Sequence, residues 1–181
     1  RVYLPRRLIE NLIAAGAMDG WKISRRELLW SLGMMRSNAS ALDLDFGTDP
    51  VQLPKLTQAE QTGMEYSVTG ISTGPHVLAF YRKQLKSSYV LSSKELNRSE
   101  VNRQVKVAGM VVVHQSPPTA KGYHFLTLED EHGFMNIIIR PKVYSRYWRI
   151  IRRSPLLLVD GIVQRQGEVT NLIARRFQSF N

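Results

Sequence analysis

Cysteine is absent from this chain of 181 residues. That excludes a disulfide framework, a thiolate metal site and a cysteine nucleophile, and it is compatible with a reducing cytosol. No apolar run approaches the roughly 20 residues that a membrane helix needs, and no secretory signal pattern is present. An initiator methionine is missing too. The sequence opens at Arg1 on residues that read as the start of a helix, as a piece of a longer polypeptide would. Internal repeats and low-complexity tracts are lacking. Acidic residues are scarce, 15 against 25 basic ones, for a net charge of +10. Residues 1–103 hold 14 basic and 10 acidic side chains, and residues 104–181 hold 11 and 5. The second part is the more basic per residue, which points to a polyanionic partner.

What is present is organised around Arg103 to Phe177, which reads as five strands with a helix between the third and fourth. Gln104 to Gln115 alternates and then becomes a valine run. Tyr123 to Glu129 follows, and Glu129-Asp130-Glu131-His132-Gly133 supplies an acidic, glycine-ended hairpin turn. Met135 to Arg140 is the third strand. Pro141 suits the first turn of a helix, along which Val143, Tyr147, Ile150 and Ile151 form an apolar stripe. After Pro155, Leu156 to Gln164 and Glu168 to Phe177 return to strand across a Gln166-Gly167 turn. This order is that of an OB-fold, a small Greek-key barrel that commonly binds oligonucleotides.

Upstream, the pattern is helical, so the fold class expected is α+β: a helical region followed by a five-stranded OB barrel. Residues 1–33 read as a helical hairpin, with Leu8, Ile9, Leu12 and Ile13 as a buried stripe and a Ser24/Glu27 capping box opening the second helix. Residues 34–56 read as a linker rich in turn-forming residues. Residues 57–103 read as a helical connector opened by a Thr57/Glu60 capping box, and 104–181 as the nucleic-acid-binding domain. His76, alone at a helix start, is expected to be a hydrogen-bonded structural residue.

No catalytic constellation can be assembled. Asp43, Asp45 and Asp49 fall in the linker, the acidic cluster at 129–131 belongs to a turn, and His114, His124 and His132 are too scattered to promise a metal site. Binding chemistry is better represented. A single strand needs cations for its phosphates and flat rings for its bases. Where an OB-fold presents such groups, the sequence holds Lys106, His114, Thr119, Lys121, Tyr123, Asn136, Arg140 and Arg165. Period-two spacing puts Lys106 and His114 on one face of the first strand, and points Met135, Ile137 and Ile139 inward, opposite Asn136 and Arg140. Either Tyr123 or His124 could face outward. Arg146, Arg149, Arg152 and Arg153 read as a solvated helix face outside the site.

Three segments carry a family resemblance. LIENLIAAGAMDG with SRRELLW is similar to the end of a helix-hairpin-helix region. TGMEYSVTGISTGPHVLAFYR is similar to a helical link before an OB domain. VKVAGMVVVHQSPPTAKGYHFLTLEDEHGFMNIIIRPKVY with LLLVDGIVQRQGEV is similar to that OB domain. In this order they resemble the C-terminal part of bacterial C-family DNA polymerases, the DNA polymerase III alpha-subunit family. PTAKG and MNIIIRP look more like the error-prone branch, associated with damage-induced mutagenesis and translesion synthesis.

The resemblance implies a cytoplasmic DNA-directed DNA polymerase. Its metal-binding palm aspartates lie upstream, so this piece needs no cofactor and carries no catalytic residue. The partners implied are single-stranded and primer–template DNA, with other mutagenesis or replisome proteins. Ala41 to Phe46 lacks the glutamine of the family's sliding-clamp peptide. Two rival readings of the barrel are a free-standing single-strand-binding protein and the anticodon-binding domain of a tRNA synthetase.

Overall fold

The computed structural model describes residues 4–34 and 53–180, which fall into two compact units, Arg1–Pro75 and His76–Asn181. Most of the linker, and the 41–46 stretch compared with a clamp peptide, lie outside the described residues.

In the first unit, helices α1 (Arg6–Ala14), α2 (Arg25–Met34) and α3 (Gln58–Thr69) assemble around very little apolar core. Ile13 is its one buried hydrophobic side chain among the described residues, beside buried Arg25, Thr62 and Glu65. Both capping boxes form. Ser24 N donates to Glu27 Oε2 at 3.0 Å while Glu27 N donates to Ser24 Oγ at 3.2 Å. Thr57 and Glu60 repeat the exchange. These satisfy amides that a helix start leaves without partners. Between the helices, the Arg25 guanidinium donates to both Asp19 carboxylate oxygens at 2.9 and 2.7 Å, to Ala14 O at 3.1 Å and to Glu65 Oε1 at 2.8 Å. Glu65 also accepts from Ser72 Oγ at 2.5 Å, and that bond followed by Arg25 holds its pKa below the usual range.

The second unit is the barrel with two helices packed on it. Helix α4 (Val77–Ser87) starts at His76, whose Nδ1 accepts from Leu78 N at 3.2 Å, the structural role expected. Strand β1 (Val90–Leu91) and helix α5 (Ser93–Asn97) follow. Ser92 and Glu95 form a third capping box, in a stretch whose sequence had shown only polarity. The sequence reading placed residues 57–103 together as a connector. In the structure the chain divides after Pro75, and α4 and α5 lie with the barrel.

The barrel strands are β2 (Gln104–Gln115), β3 (His124–Asp130), β4 (Gly133–Ile139), β5 (Leu156–Gln166) and β6 (Val169–Ser179), with α6 (Pro141–Arg153) between β4 and β5. The order β2-β3-β4-β6-β5 closes by the β2–β5 pairing, and β4–β6 is parallel. This is a closed OB barrel, with β1 added parallel to β2. Alternation sends Val105, Val107, Leu126, Leu128, Met135, Ile137, Ile139, Val159, Leu172 and Phe177 into one core, which Ile151 of α6 helps to close. Arg140 ends no strand; it is the N-cap of α6, with Pro141 at the first turn.

A carboxylate joins α4 and α5 to the β3–β4 hairpin. Asp130, buried, accepts from Ser93 N at 2.7 Å, Ser93 Oγ at 2.6 Å, His132 N at 2.9 Å and Arg82 Nη2 at 3.2 Å. Glu131 pairs with Arg82 beside it. Burial pushes the Glu131 carboxyl up, but the Arg82 hydrogen bond and charge, a backbone hydrogen bond and the nearby His132 together outweigh it, and the net shift is downward. The acidic turn is therefore a clasp as well as a turn.

Candidate nucleic-acid interface

Cross-strand register decides what the barrel shows to solvent. Phe125 pairs with Ile138, Thr127 with Asn136, and Glu129 with Phe134, and these are the outward positions of β3 and β4. Asn136 lies beside Asn171 and Ile138 beside Ile173 on β6. On β2 the register slips between Val111 and Val113, so Val112 is extra, and Gln115 comes to face Phe125. An open groove of about 430 Å³ results, lined by Gln115, Phe125, Thr127, Asn136, Ile138 and Asn171 among others. Phe134, 62 % exposed, stands on the same face. Rings able to stack, amides and a hydroxyl able to hydrogen-bond, and almost no charge make a surface suited to flat, polar-edged groups such as bases.

The β2 bulge also corrects the expectation that Lys106 and His114 share a face. One extra residue flips every side chain beyond it. Lys106 points outward, 3.7 Å from Asp160 across the β2–β5 pairing. His114 pairs with Leu126 on the inward side, at the barrel mouth. There His114 Nε2 lies 3.1 Å from His124 Nδ1, and the His124 ring stacks on Tyr144 of α6 at 3.4 Å between centroids. Burial, then neighbouring positive charge, lowers both histidine pKa values. His124 thus faces the barrel mouth, and Tyr123, 37 % exposed, precedes the strand.

The remaining expected residues divide. Thr119 lies in the short turn Pro118–Ala120 before Lys121, whose φ of 49° is left-handed. A Cβ at Gly122 would lie 3.3 Å from the Pro141 ring, so this loop rests against the start of α6. Lys121, Tyr123 and Arg140 accordingly share one end of the barrel with the histidine pair. Asn136 is on the groove itself. Arg165 is on neither: its Nη2 donates to Asn97 O at 2.9 Å and Ser99 O at 3.3 Å, tying β5 to the end of α5 and the segment after it. Sequence reasoning missed Phe125, Phe134, Ile138 and Asn171. The parity that aimed Asn136 outward also aimed Phe134 and Ile138, so that signal was present.

Among the described residues no group of three or more His, Asp or Glu side chains is placed to hold a metal ion, and no helix is long and apolar enough to cross a membrane.

The fold and this face define an OB-barrel protein with helices before the barrel. No family model matches the chain. Curated relatives do. An error-prone DNA polymerase of Cutibacterium acnes is 39% identical over 183 residues, covering 100% of this chain and 16% of the relative. The error-prone DNA polymerase of Pseudomonas aeruginosa is 36% identical over 180 residues, covering 97% and 17%, and that of Bdellovibrio bacteriovorus is 34% identical over 196 residues, covering 97% and 18%. The chain therefore matches error-prone DNA polymerases along its whole length, as the three sequence segments implied, and spans about a sixth of theirs. Among solved structures, asparaginyl-tRNA synthetase from Pyrococcus horikoshii is 14% identical with a TM-score of 0.43, covering 50% of this chain and 22% of that one. The S. pombe Stn1–Ten1 complex is 22% identical with a TM-score of 0.38, covering 43% and 58%. Such loose likenesses carry no functional argument.

Proposed function

We propose that this chain is a DNA-binding module of an error-prone DNA polymerase, and that its barrel holds single-stranded template across the outer face of β2, β3, β4 and β6. The observation that carries this reading is the uncharged groove lined by Phe125, Thr127, Asn136 and Asn171, with Phe134 exposed on the same face. One exposed ring and one partly covered ring on the strands that OB-folds use for binding suit single-strand recognition, because every base has a face to stack. Lys121 and Arg140, at one end of the barrel, would meet phosphates. The same proposal gives the whole polymerase its wider setting. There, nucleotide transfer at metal-binding aspartates elsewhere in the chain would act on primer–template DNA in the cytoplasm. It would do so during damage-induced mutagenesis and translesion synthesis, beside other mutagenesis or replisome proteins.

Fluorescence anisotropy with a labelled single strand tests this. Phe125→Ala and Phe134→Ala should each weaken binding by about 1–3 kcal/mol if the ring stacks on a base, with melting temperature checked for the partly covered Phe125. Unchanged affinity in both variants would remove the groove from the interface.

A further inference from the structure

A dense cluster of basic side chains on the described barrel lies away from that groove. Helix α6 and strand β6 together carry Lys142, Arg146, Arg149, Arg152, Arg153, Arg175 and Arg176, and not one acidic residue. Arg146, Arg175 and Arg176 line an open groove of about 890 Å³ between the two elements. None of these three makes an ion pair with a carboxylate among the described residues. Asp160, directly across from Arg176 in the register, is engaged by Lys106.

The local backbone is built to expose this pair. Along β6, Thr170, Leu172 and Ala174 are buried and alternate with Asn171 and Ile173, so strict alternation would turn Arg176 into the core. Instead the register against β5 slips: Gly161 pairs with Ala174 and Asp160 with Arg176, leaving Arg175 as the extra residue of a bulge. Both arginines emerge, and Phe177 returns to the interior at 1 % exposure. Opposite the bulge only glycine fits, since a Cβ on Gly161 would lie 2.6 Å from Ile173 O. Bulges re-aim side chains in this way and are often placed for function. Arg152 and Arg153 are explained by the negative end of the helix dipole. Arg146 in mid-helix and two arginines on a strand are not.

We propose that the α6–β6 groove is a second nucleic-acid site that takes the sugar–phosphate backbone and not the bases. Guanidinium groups match phosphate oxygens in pairs and keep their charge at any working pH. The two grooves are consecutive along β6, Asn171 in the first and Arg175 in the second. Four residues of strand, about 13 Å, separate them, so one extended strand can engage both. The proposal deepens the single-strand reading, and rests on it for the identity of the polyanion.

The test compares the whole chain with Arg175→Gln/Arg176→Gln, with Lys83→Gln/Lys94→Gln as an equal-charge control on exposed positions outside the groove, and with Phe134→Ala. Each is titrated across a salt series with a labelled mixed-sequence strand and with an abasic strand that has the same phosphates but no bases. Losing two phosphate contacts should lower affinity on the order of tenfold near 0.1 M salt and make the log–log salt slope shallower by about 1.4. The control pair should leave the slope unchanged. Phe134→Ala should weaken only the strand that has bases, again with the slope unchanged. Parent binding to the abasic strand that is lost in the arginine pair supports the site. An unchanged slope in the arginine pair, or equal losses in both charge pairs, overturns it and leaves the base-binding groove standing. Failure of the parent to bind either strand overturns both readings.

Discussion

The two units of this chain are stabilised by opposite means. Around α1–α3, the buried side chains are mainly Arg25, Glu65 and Thr62, and Trp21 and Trp30 stay exposed. Around the barrel, the interior is a continuous set of aliphatic side chains capped by Phe177. Burial of apolar area is strong, undirected and tolerant of repacking. A buried ion cluster is directional, and removing one member leaves charge without its partner in a poor solvent. The first unit should therefore have a specific arrangement that fails abruptly, and the second a robust one that fails gradually.

The largest test of that contrast is Phe177→Ala. Truncating a fully buried aromatic costs about 3–5 kcal/mol, and NMR-detected denaturation should show the loss in barrel amides. A loss below about 1 kcal/mol would mean that the barrel interior is loosely packed. Next is Glu65→Ala, which leaves Arg25 with Asp19 as its one carboxylate partner, beside the Ala14 carbonyl. The expected cost is about 3 kcal/mol, at the low end for a broken buried pair because one carboxylate remains, read from amides of α1 and α3. If Glu65→Ala is neutral, the ion cluster decorates the first unit rather than holding it.

A smaller effect separates the units by pH. His114 and His124 have lowered pKa values, so the folded barrel disfavours their protonation. Above about 6.5 both are neutral whether folded or unfolded, and stability is at its maximum. As pH falls below that value the unfolded chain takes up protons that the fold resists, and barrel stability declines. Asp19 and Glu65 are also lowered, by hydrogen bonds from Arg25 and from Ser72 with Arg25 respectively. Their stabilisation is present above the ordinary carboxylate range and lost only as pH drops through their folded values. Thermal melts between pH 7 and 5 should thus weaken the barrel and spare the helices, and His114→Gln/His124→Gln should flatten the barrel's profile. Equal sensitivity of both units over that range would contradict the assignment.

Much of the fold was legible because it is written in short range. Strand order, the Pro141 helix start, the capping boxes at Ser24 and Thr57, and the inward set Met135, Ile137 and Ile139 all follow from spacing of a few residues. What escaped has a common cause. Both bulges fall in runs with no parity of their own, the valines at 111–113 and the arginines at 175–176, so one extra residue left no trace in the pattern. Glu65 lies 40 residues from Arg25, and Glu131 lies 49 from Arg82. No local pattern reports such a pairing. For the candidate interface, the polar positions drew attention and Phe125 and Phe134 did not, since an aromatic on a strand reads first as core.

The Asp130 clasp gives the barrel a clock. The Ser93 amide donates into a carboxylate that is closed off from water. Its proton can exchange with solvent only when α5 lifts from the hairpin, so its exchange rate counts how often the helices detach. An amide such as that of Val107, paired within the sheet, exchanges only when the barrel itself opens. The ratio of the two rates would measure, within one folded molecule, how far the docking of the helices is independent of the barrel beneath them.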